Sequence, residues 1–156
     1  SRNNALGLVQ IRPYMPEDLK ALQWVALGSN VFNAMIPVYP GVDKMPEYLS
    51  KAYVKPTTEN FYWVNRIIGA LADAHFYENQ SNIERYQLSV DRKLYEMIRK
   101  FDQEFQEKEP EDKKAFFEAA NQEISDFIQE KTTELLDKVL FTSSCLMRNG
   151  FSRSDA

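Results

Sequence analysis

Residues Gln23–Gly41, QWVALGSNVFNAMIPVYPG, divide the chain into a short β part and a long helical part. The stretch opens as a strand, turns at Gly28-Ser29-Asn30 and ends in the proline-punctuated segment Ile36-Pro37-Val38-Tyr39-Pro40-Gly41. Asn and Gly tolerate positive φ, and Ser or Asn can cap the next turn of chain, so the corner ends the strand. Working back, Leu22, Trp24 and Ala26 share one face of a strand over Leu22–Leu27. An earlier strand spans Leu6–Pro13, where Leu8, Gln10 and Arg12 alternate with Val9 and Ile11. Pro13 ends it, and Pro16-Glu17-Asp18 supplies a turn or a single helical turn. Two strands joined by so short a connection pair as an antiparallel hairpin. A lone hairpin is marginal in water, so it must lean on helices or on a sheet outside the chain. The prolines at 37 and 40 make Asn30–Val42 irregular.

Downstream the period changes to that of helices. A short helix is expected around Pro46–Ala52, before a stop at Pro56-Thr57-Thr58. Glu59–Tyr77 then carries an apolar stripe through Tyr62, Trp63, Ile67, Ala70 and Leu71, with Thr57 or Thr58 as its cap. Ser81–Glu107 has a cleaner seam, Ile83, Tyr86, Val90, Leu94, Ile98, Phe101 and Phe105, and Ser81 with Glu84 matches a capping box. Lys108-Glu109-Pro110 stops it. Glu111–Leu140 comes next, with acidic residues in its first turn, where the helix dipole favours them. The short connection predicts an antiparallel helical hairpin. The fold class is therefore α+β, mostly α: a β-hairpin, an irregular segment and three helices including the long hairpin. The chain reads as a single unit, with hairpin and corner over 1–45, helices over 46–147 and a polar tail over 148–156.

Composition narrows the function. The 156 residues carry a net charge of −4, against the clustered positive surface that nucleic acid requires. No apolar run approaches the ~20 residues of a membrane span, and no signal-peptide core comes after Ser1-Arg2-Asn3-Asn4. One cysteine, Cys145, rules out an internal disulfide framework and leans toward the cytoplasm. One histidine, His75, leaves no zinc site of the His and Cys type.

Each reactive group has a plainer reading beside the chemical one. Cys145 lies among Leu140, Phe141, Leu146 and Met147 with no histidine near it in sequence, while reactive thiols need a helix N-terminus or a cation; it reads as a packed or incidental cysteine. His75 and Asp73 point to different faces of one helix, so a helix-end hydrogen bond suits His75 better than catalysis. The carboxylates Glu104, Glu107, Glu109, Glu111 and Asp112 alternate with lysines on an outer face. Phe101, Phe105, Phe116 and Phe117 lie at helix spacing and read as core. An N-terminal Ser1 could in principle be its own nucleophile, but SRNN looks like a connection. There is no glycine-rich phosphate loop and no nucleophile elbow, and no cofactor is called for.

The run Leu8-Val9-Gln10-Ile11-Arg12, then Pro16, Gln23-Trp24 and Pro37-Val38-Tyr39-Pro40-Gly41, resembles the bacterial cysteine dipeptidases of the N-terminal-nucleophile hydrolase superfamily, relatives of the secernins. Phe61-Tyr62-Trp63-Val64-Asn65-Arg66 and Asp73 extend the likeness into the first long helix. The resemblance implies an αββα sandwich, of which this chain would be an outer part, and a catalytic cysteine at the mature N-terminus activated by its own α-amino group. Dipeptides are the implied substrate, with no metal. The nucleophile would belong to an N-terminal half, and this chain would be the C-terminal part, inactive alone. Cys145 matches no family motif and is not expected to be the nucleophile. Many relatives carry a histidine-containing segment before the Gln-x-Arg strand, where this chain has Ala5-Leu6-Gly7-Leu8.

Under this resemblance three residues become candidates for substrate binding. Asn30 or Asn33 would offer a donor to substrate or oxyanion, or simply cap the turn. Arg12 would meet a substrate carboxylate, or form an outward salt bridge. Partners are then the dipeptide, the missing N-terminal half and further copies in a homo-oligomer that pairs at Leu6–Pro13, with neither nucleic acid nor membrane. The competing reading is a non-enzymatic interaction module that binds a protein through the 81–140 helical hairpin.

Overall fold

The structure is a computed structural model that describes residues 5–50 and 53–148, without the side chain of Asn30. Strands β1 (Ala5–Ile11), β2 (Ala21–Leu27) and β3 (Ile36–Val38) form one antiparallel sheet in the order β1-β2-β3. A 3-10 turn, Glu17–Leu19, links the first two strands, as Pro16-Glu17-Asp18 foretold. Leu8 pairs with Trp24 and Gln10 with Leu22. The even-numbered residues of β1 therefore share a face with Leu22, Trp24 and Ala26. Leu22 and Ala26 are buried under the helices. Val9 and Ile11, on the opposite face, are 68% and 61% exposed.

The third strand corrects the expectation of an irregular Asn30–Val42. Asn30–Phe32 forms a 3-10 turn and Ile36–Val38 pairs with β2, placing Pro37 opposite Trp24. Proline is compatible with a strand when its missing N–H falls at a sheet edge, and β3 is such an edge. Beyond it, Asn121 takes over the role of a neighbouring strand. Its Oδ1 accepts from the Tyr39 N–H at 2.8 Å and its Nδ2 donates to the Tyr39 carbonyl at 3.0 Å.

Four helices follow among the described residues: α1 (Glu47–Ser50), α2 (Phe61–Ala74), α3 (Phe76–Lys108) and α4 (Lys113–Cys145). The cap of α2 is Asn60, whose Oδ1 accepts from the Trp63 N–H, rather than Thr57 or Thr58. The Ser81 capping box does not form, because α3 already begins at Phe76 and Ser81 lies inside it. The earlier start is permitted by buried Asn79, whose Nδ2 donates to the His75 carbonyl and to Ser143 Oγ. The break between α2 and α3 falls at His75, whose backbone serves both helix ends. Glu109, at φ 45°, ends α3 ahead of Pro110, and Asp112 caps α4 through the Ala115 N–H. α4 also runs five residues past its expected end at Leu140, to Cys145. At 33 residues each, α3 and α4 are about 50 Å long. The tail expected over 148–156 lies, from residue 149 onward, outside the described residues, as does Ser1.

Two glycines decide how closely the corner packs. Gly28 has φ +83°, and a Cβ there would stand 3.0 Å from the Tyr62 carbonyl oxygen of α2. A Cβ on Gly69 of α2 would stand 2.6 Å from Ser29 Oγ. The corner and α2 thus meet nearly backbone to backbone. One cluster joins Leu19 and Leu22 through Ile68, Val90 and Leu94 to Ile124, Ile128 and Val139. The α3 seam read from sequence is consumed in this core.

Gly69→Ala should lower stability by about 1–3 kcal/mol, since the added methyl forces helix and corner apart; an unchanged denaturant midpoint would contradict the close approach. Tyr39, Tyr48 and Tyr86 are buried, and burial raises the pKa of each, that of Tyr86 to about 12. Unfolded tyrosine ionises near ~10. Stability from the protonated tyrosines is therefore complete below that pH and falls as pH rises through the folded values. An absorbance titration should show these three among the eight tyrosines ionising only with unfolding. All eight titrating together near ~10 with the far-UV signal intact would refute this.

Candidate functional site

The polar centre of the molecule is built on Arg12, at the end of β1 and 5% exposed. Its Nη1 donates to Asp102 Oδ2 at 2.5 Å and its Nη2 to Asp102 Oδ1 at 3.1 Å, a two-pronged ion pair between strand and α3. Nη2 also donates to the Leu19 carbonyl at 2.6 Å, tying in the β1–β2 connection. The Tyr39 hydroxyl donates to Asp102 Oδ1 at 2.9 Å, and its ring stacks on Phe117 at 5.0 Å between centroids. The expected outward salt bridge of Arg12 is thus replaced by an inward one. An exposed arginine at this point would leave Asp102 as an uncompensated buried charge. The edge of the guanidinium that a substrate carboxylate would meet is already held by Asp102, and the buried Nε has no partner among the described residues.

A groove opens between the β1–β2 face and α3. One end, about 570 Å³, is lined by Gln10, Arg12, Tyr14, Trp24, Tyr95 and Arg99, among others. The other, about 670 Å³, is lined by Leu8, Gln10, Trp24, Asn33, Tyr95 and Asp91, among others. Gln10, Trp24 and Tyr95 belong to both. Trp24 Nε1 donates to Gln10 Oε1 at 3.0 Å, and the Trp24 and Tyr95 rings lie 5.5 Å apart. Partial burial raises the pKa of the Asp91 carboxyl.

The sequence candidates are not brought together. Arg12 and Asn33 occupy opposite ends of the groove, with Gln10 and Trp24 between them. Asn33 is buried, and its Nδ2 donates to the Leu27 carbonyl at 2.5 Å, clamping the end of β2 as a turn cap would. Its Oδ1, also buried, has no partner among the described residues. The backbone of Asn30 lies in the 3-10 turn, and its side chain is outside the described residues. Cys145 is exposed at the last residue of α4. His75 acts through its backbone at the α2–α3 junction, with no side-chain cap bond. No cluster of metal-ligating side chains occurs among the described residues.

Sequence reasoning missed Asp102 and Asn121. Both fall on apolar seams, Asp102 four residues after Ile98 and Asn121 beside Ala120 and Ile124. A polar residue at a seam position is the signal that could have found them, since a buried polar group must be paired.

Comparison with known proteins gives this geometry its context. The model of Peptidase family C69 matches residues 1–89, more than half the chain and all three strands. The chain belongs to Peptidase family C69. It is similar to "Probable dipeptidase A" of Streptococcus pyogenes serotype M18, with 37% identity over 99% of this chain and 32% of the relative. It is also similar to "Dipeptidase" of Bifidobacterium longum, 34% identical over 99% of this chain and 36% of the relative. "Dipeptidase A" of Lactobacillus helveticus is 30% identical over 94% of this chain and 31% of the relative. The chain thus spans about a third of the length of the relatives it matches. Within this C69 chain the motif residues Gln10, Arg12, Trp24 and Tyr39 prove to be parts of one structural assembly around Asp102 and the groove.

Arg12→Met should cost about 3–5 kcal/mol, because it strands Asp102 as a buried unpaired charge. The double variant Arg12→Met/Asp102→Leu should be no less stable than the single one, with a coupling that denaturant titration reads directly. Strictly additive losses would show that the two side chains do not depend on each other.

Proposed function

We propose that this chain is the C-terminal part of a cytoplasmic dipeptidase whose nucleophile, an N-terminal cysteine, lies in the rest of the polypeptide. The observation that carries this reading is the match of nearly the whole chain to a third of several dipeptidases, within a peptidase family. In the proposed reaction the cysteine thiolate, its proton taken by the α-amino group, adds to the peptide carbonyl. The C–N bond breaks, and the C-terminal amino acid leaves with the returned proton. Water then cleaves the thioester to release the N-terminal amino acid and restore the thiol. The chemistry calls on no metal or other cofactor.

The chain's own contribution is to support and shape the site. The position of Cys145 on the exposed end of α4 supports leaving it out of the chemistry. Asn33 contributes by holding the end of β2, its Nδ2 bonded to the Leu27 carbonyl and its Oδ1 buried, and Asn30 sits on the same corner. Arg12 acts by holding the strand end in place, its guanidinium engaged by Asp102 and the Leu19 carbonyl. The exposed apolar residues of β1 support assembly into a homo-oligomer.

The complete enzyme should cleave dipeptides, keep its turnover in Cys145→Ala and lose it on replacement of the N-terminal cysteine. The 156-residue chain alone should show none. Turnover by the chain alone that survives Cys145→Ala would sink the proposal. At concentrations where light scattering is sensitive, the chain alone should self-associate through β1, and Val9→Lys/Ile11→Lys should return it to monomer. A monodisperse monomer before substitution would argue against self-association.

A further inference from the structure

We infer that the outer face of the α3–α4 hairpin docks a second copy of this chain, with the arginines of one copy's α3 set against the carboxylates of its partner's α4 about a two-fold axis. Such pairing does not depend on the reaction the chain serves.

The face carries two lines of charge. α3 presents Arg85, Arg92 and Arg99, and α4 presents Glu123, Glu130 and Asp137. Each set steps by seven residues, or ~10.5 Å of rise, and residues so spaced hold nearly one line along a helix, drifting only ~20° per step. All six are exposed. Ile83 and Val90, two residues before Arg85 and Arg92, are buried, as are Ile128 and Leu135, two before Glu130 and Asp137. Two residues turn a helix by ~200°, so the charged lines face away from the core.

These charges are poorly matched within the chain. The three arginines and Asp137 have no ion-paired or hydrogen-bonded partner among the described residues. Glu123 meets Lys100 at 3.6 Å and Glu130 meets Lys131 at 3.8 Å, exposed pairs of the kind that contribute little. Arg99 also borders the groove beside β1.

The register of the hairpin decides which partner fits. Asn79 meets Ser143, Lys100 meets Glu123, and the Phe105 ring stacks on Phe117. On this antiparallel register Arg85 stands level with Asp137, Arg92 with Glu130 and Arg99 with Glu123. A two-fold axis parallel to the helices, midway between them and just outside the hairpin, keeps every residue at its own height. It lays α3 of each copy on α4 of the other. Arg85 then faces the partner's Asp137, Arg92 the partner's Glu130 and Arg99 the partner's Glu123, and the same pairs recur across the axis. Turned end over end instead, α3 would lie on α3 and arginine on arginine, which repel. The carboxylate line likewise repels another polyanion such as nucleic acid, whereas a second copy supplies both signs at the right heights. Leu88 and Tyr95, exposed between the arginines, add apolar contact. Two 33-residue helices side by side offer roughly 1,000 Å² per copy, enough for a standard interface of ~800 Å² per partner.

Sedimentation equilibrium tests this on the 156-residue chain carrying Val9→Lys/Ile11→Lys, which removes association through β1. Pairing between surface charges strengthens as salt falls. The variant, a monomer in ordinary buffer, should therefore dimerise at ~20 mM salt and return to monomer as salt is added. In that background Arg92→Glu should weaken the dimer at least ~10-fold, because it reverses one pair on each side of the axis, and Glu130→Arg should do the same. Both positions are exposed, so the far-UV signal and denaturant midpoint should hold. Mixed one to one, the two reversed chains should dimerise again, since each then meets the opposite sign on its partner. A monomer at ~20 mM salt, a dimer indifferent to either reversal, or a mixture no better than its components would each overturn the inference. Dipeptide turnover does not enter, so any of these failures leaves the dipeptidase reading as it stands.

Discussion

The ion pair between Arg12 and Asp102 is the contact on which the arrangement of this molecule depends. It is buried, two-pronged and shared with the Tyr39 hydroxyl and the Leu19 carbonyl, so four separate parts of the chain converge on one ion pair. Burying charges is expensive, and such a pair is a poor source of net stability beside well-packed apolar residues. Its contribution is position. A guanidinium fork accepts a carboxylate in few geometries, so the end of β1 can meet α3 at one height only.

From that point the rest of the candidate site can be traced. With β1 fixed on α3, the even-numbered side chains of β1 and β2 face Tyr95 and Arg99, and a groove is left between sheet and helix. At the other end of the sheet, the Gly28 corner is pressed closely against α2. The sheet is therefore held at both ends, by polar bonding near Arg12 and by the absence of side chains near Gly28 and Gly69. Asn121 adds the third restraint, at Tyr39.

Much of this is legible in the residues alone. Period two and period 3.6 separate strands from helices, Pro110 marks the tip of the helical hairpin, and the order of Gln10, Arg12, Trp24 and Tyr39 points to the peptidase family. The illegible parts depend on distant partners. Pro37 argues locally against a strand, because its suitability rests on β3 being an edge. Ser81 and Glu84 spell a helix start, but Asn79 has already found its acceptor in the preceding turn. Arg12 reads as a substrate or surface residue because its partner Asp102 is 90 residues away, on the apolar seam of another element. Local rules fail where a side chain's partner is remote.

That remoteness has a consequence for synthesis. β1, its arginine and the unpaired sheet edge leave the ribosome long before Asp102, and Asn121 emerges 82 residues after its Tyr39 partner. At about 5–20 residues per second, this leaves the strands without their helical support for on the order of ten seconds. Through that interval the arginine of β1 and the backbone of Tyr39 lack the helical side chains that later hold them, and contacts of such long sequence separation are slow to form. The part of the chain that defines the family is therefore also the part that waits longest for its partners while the protein is being made.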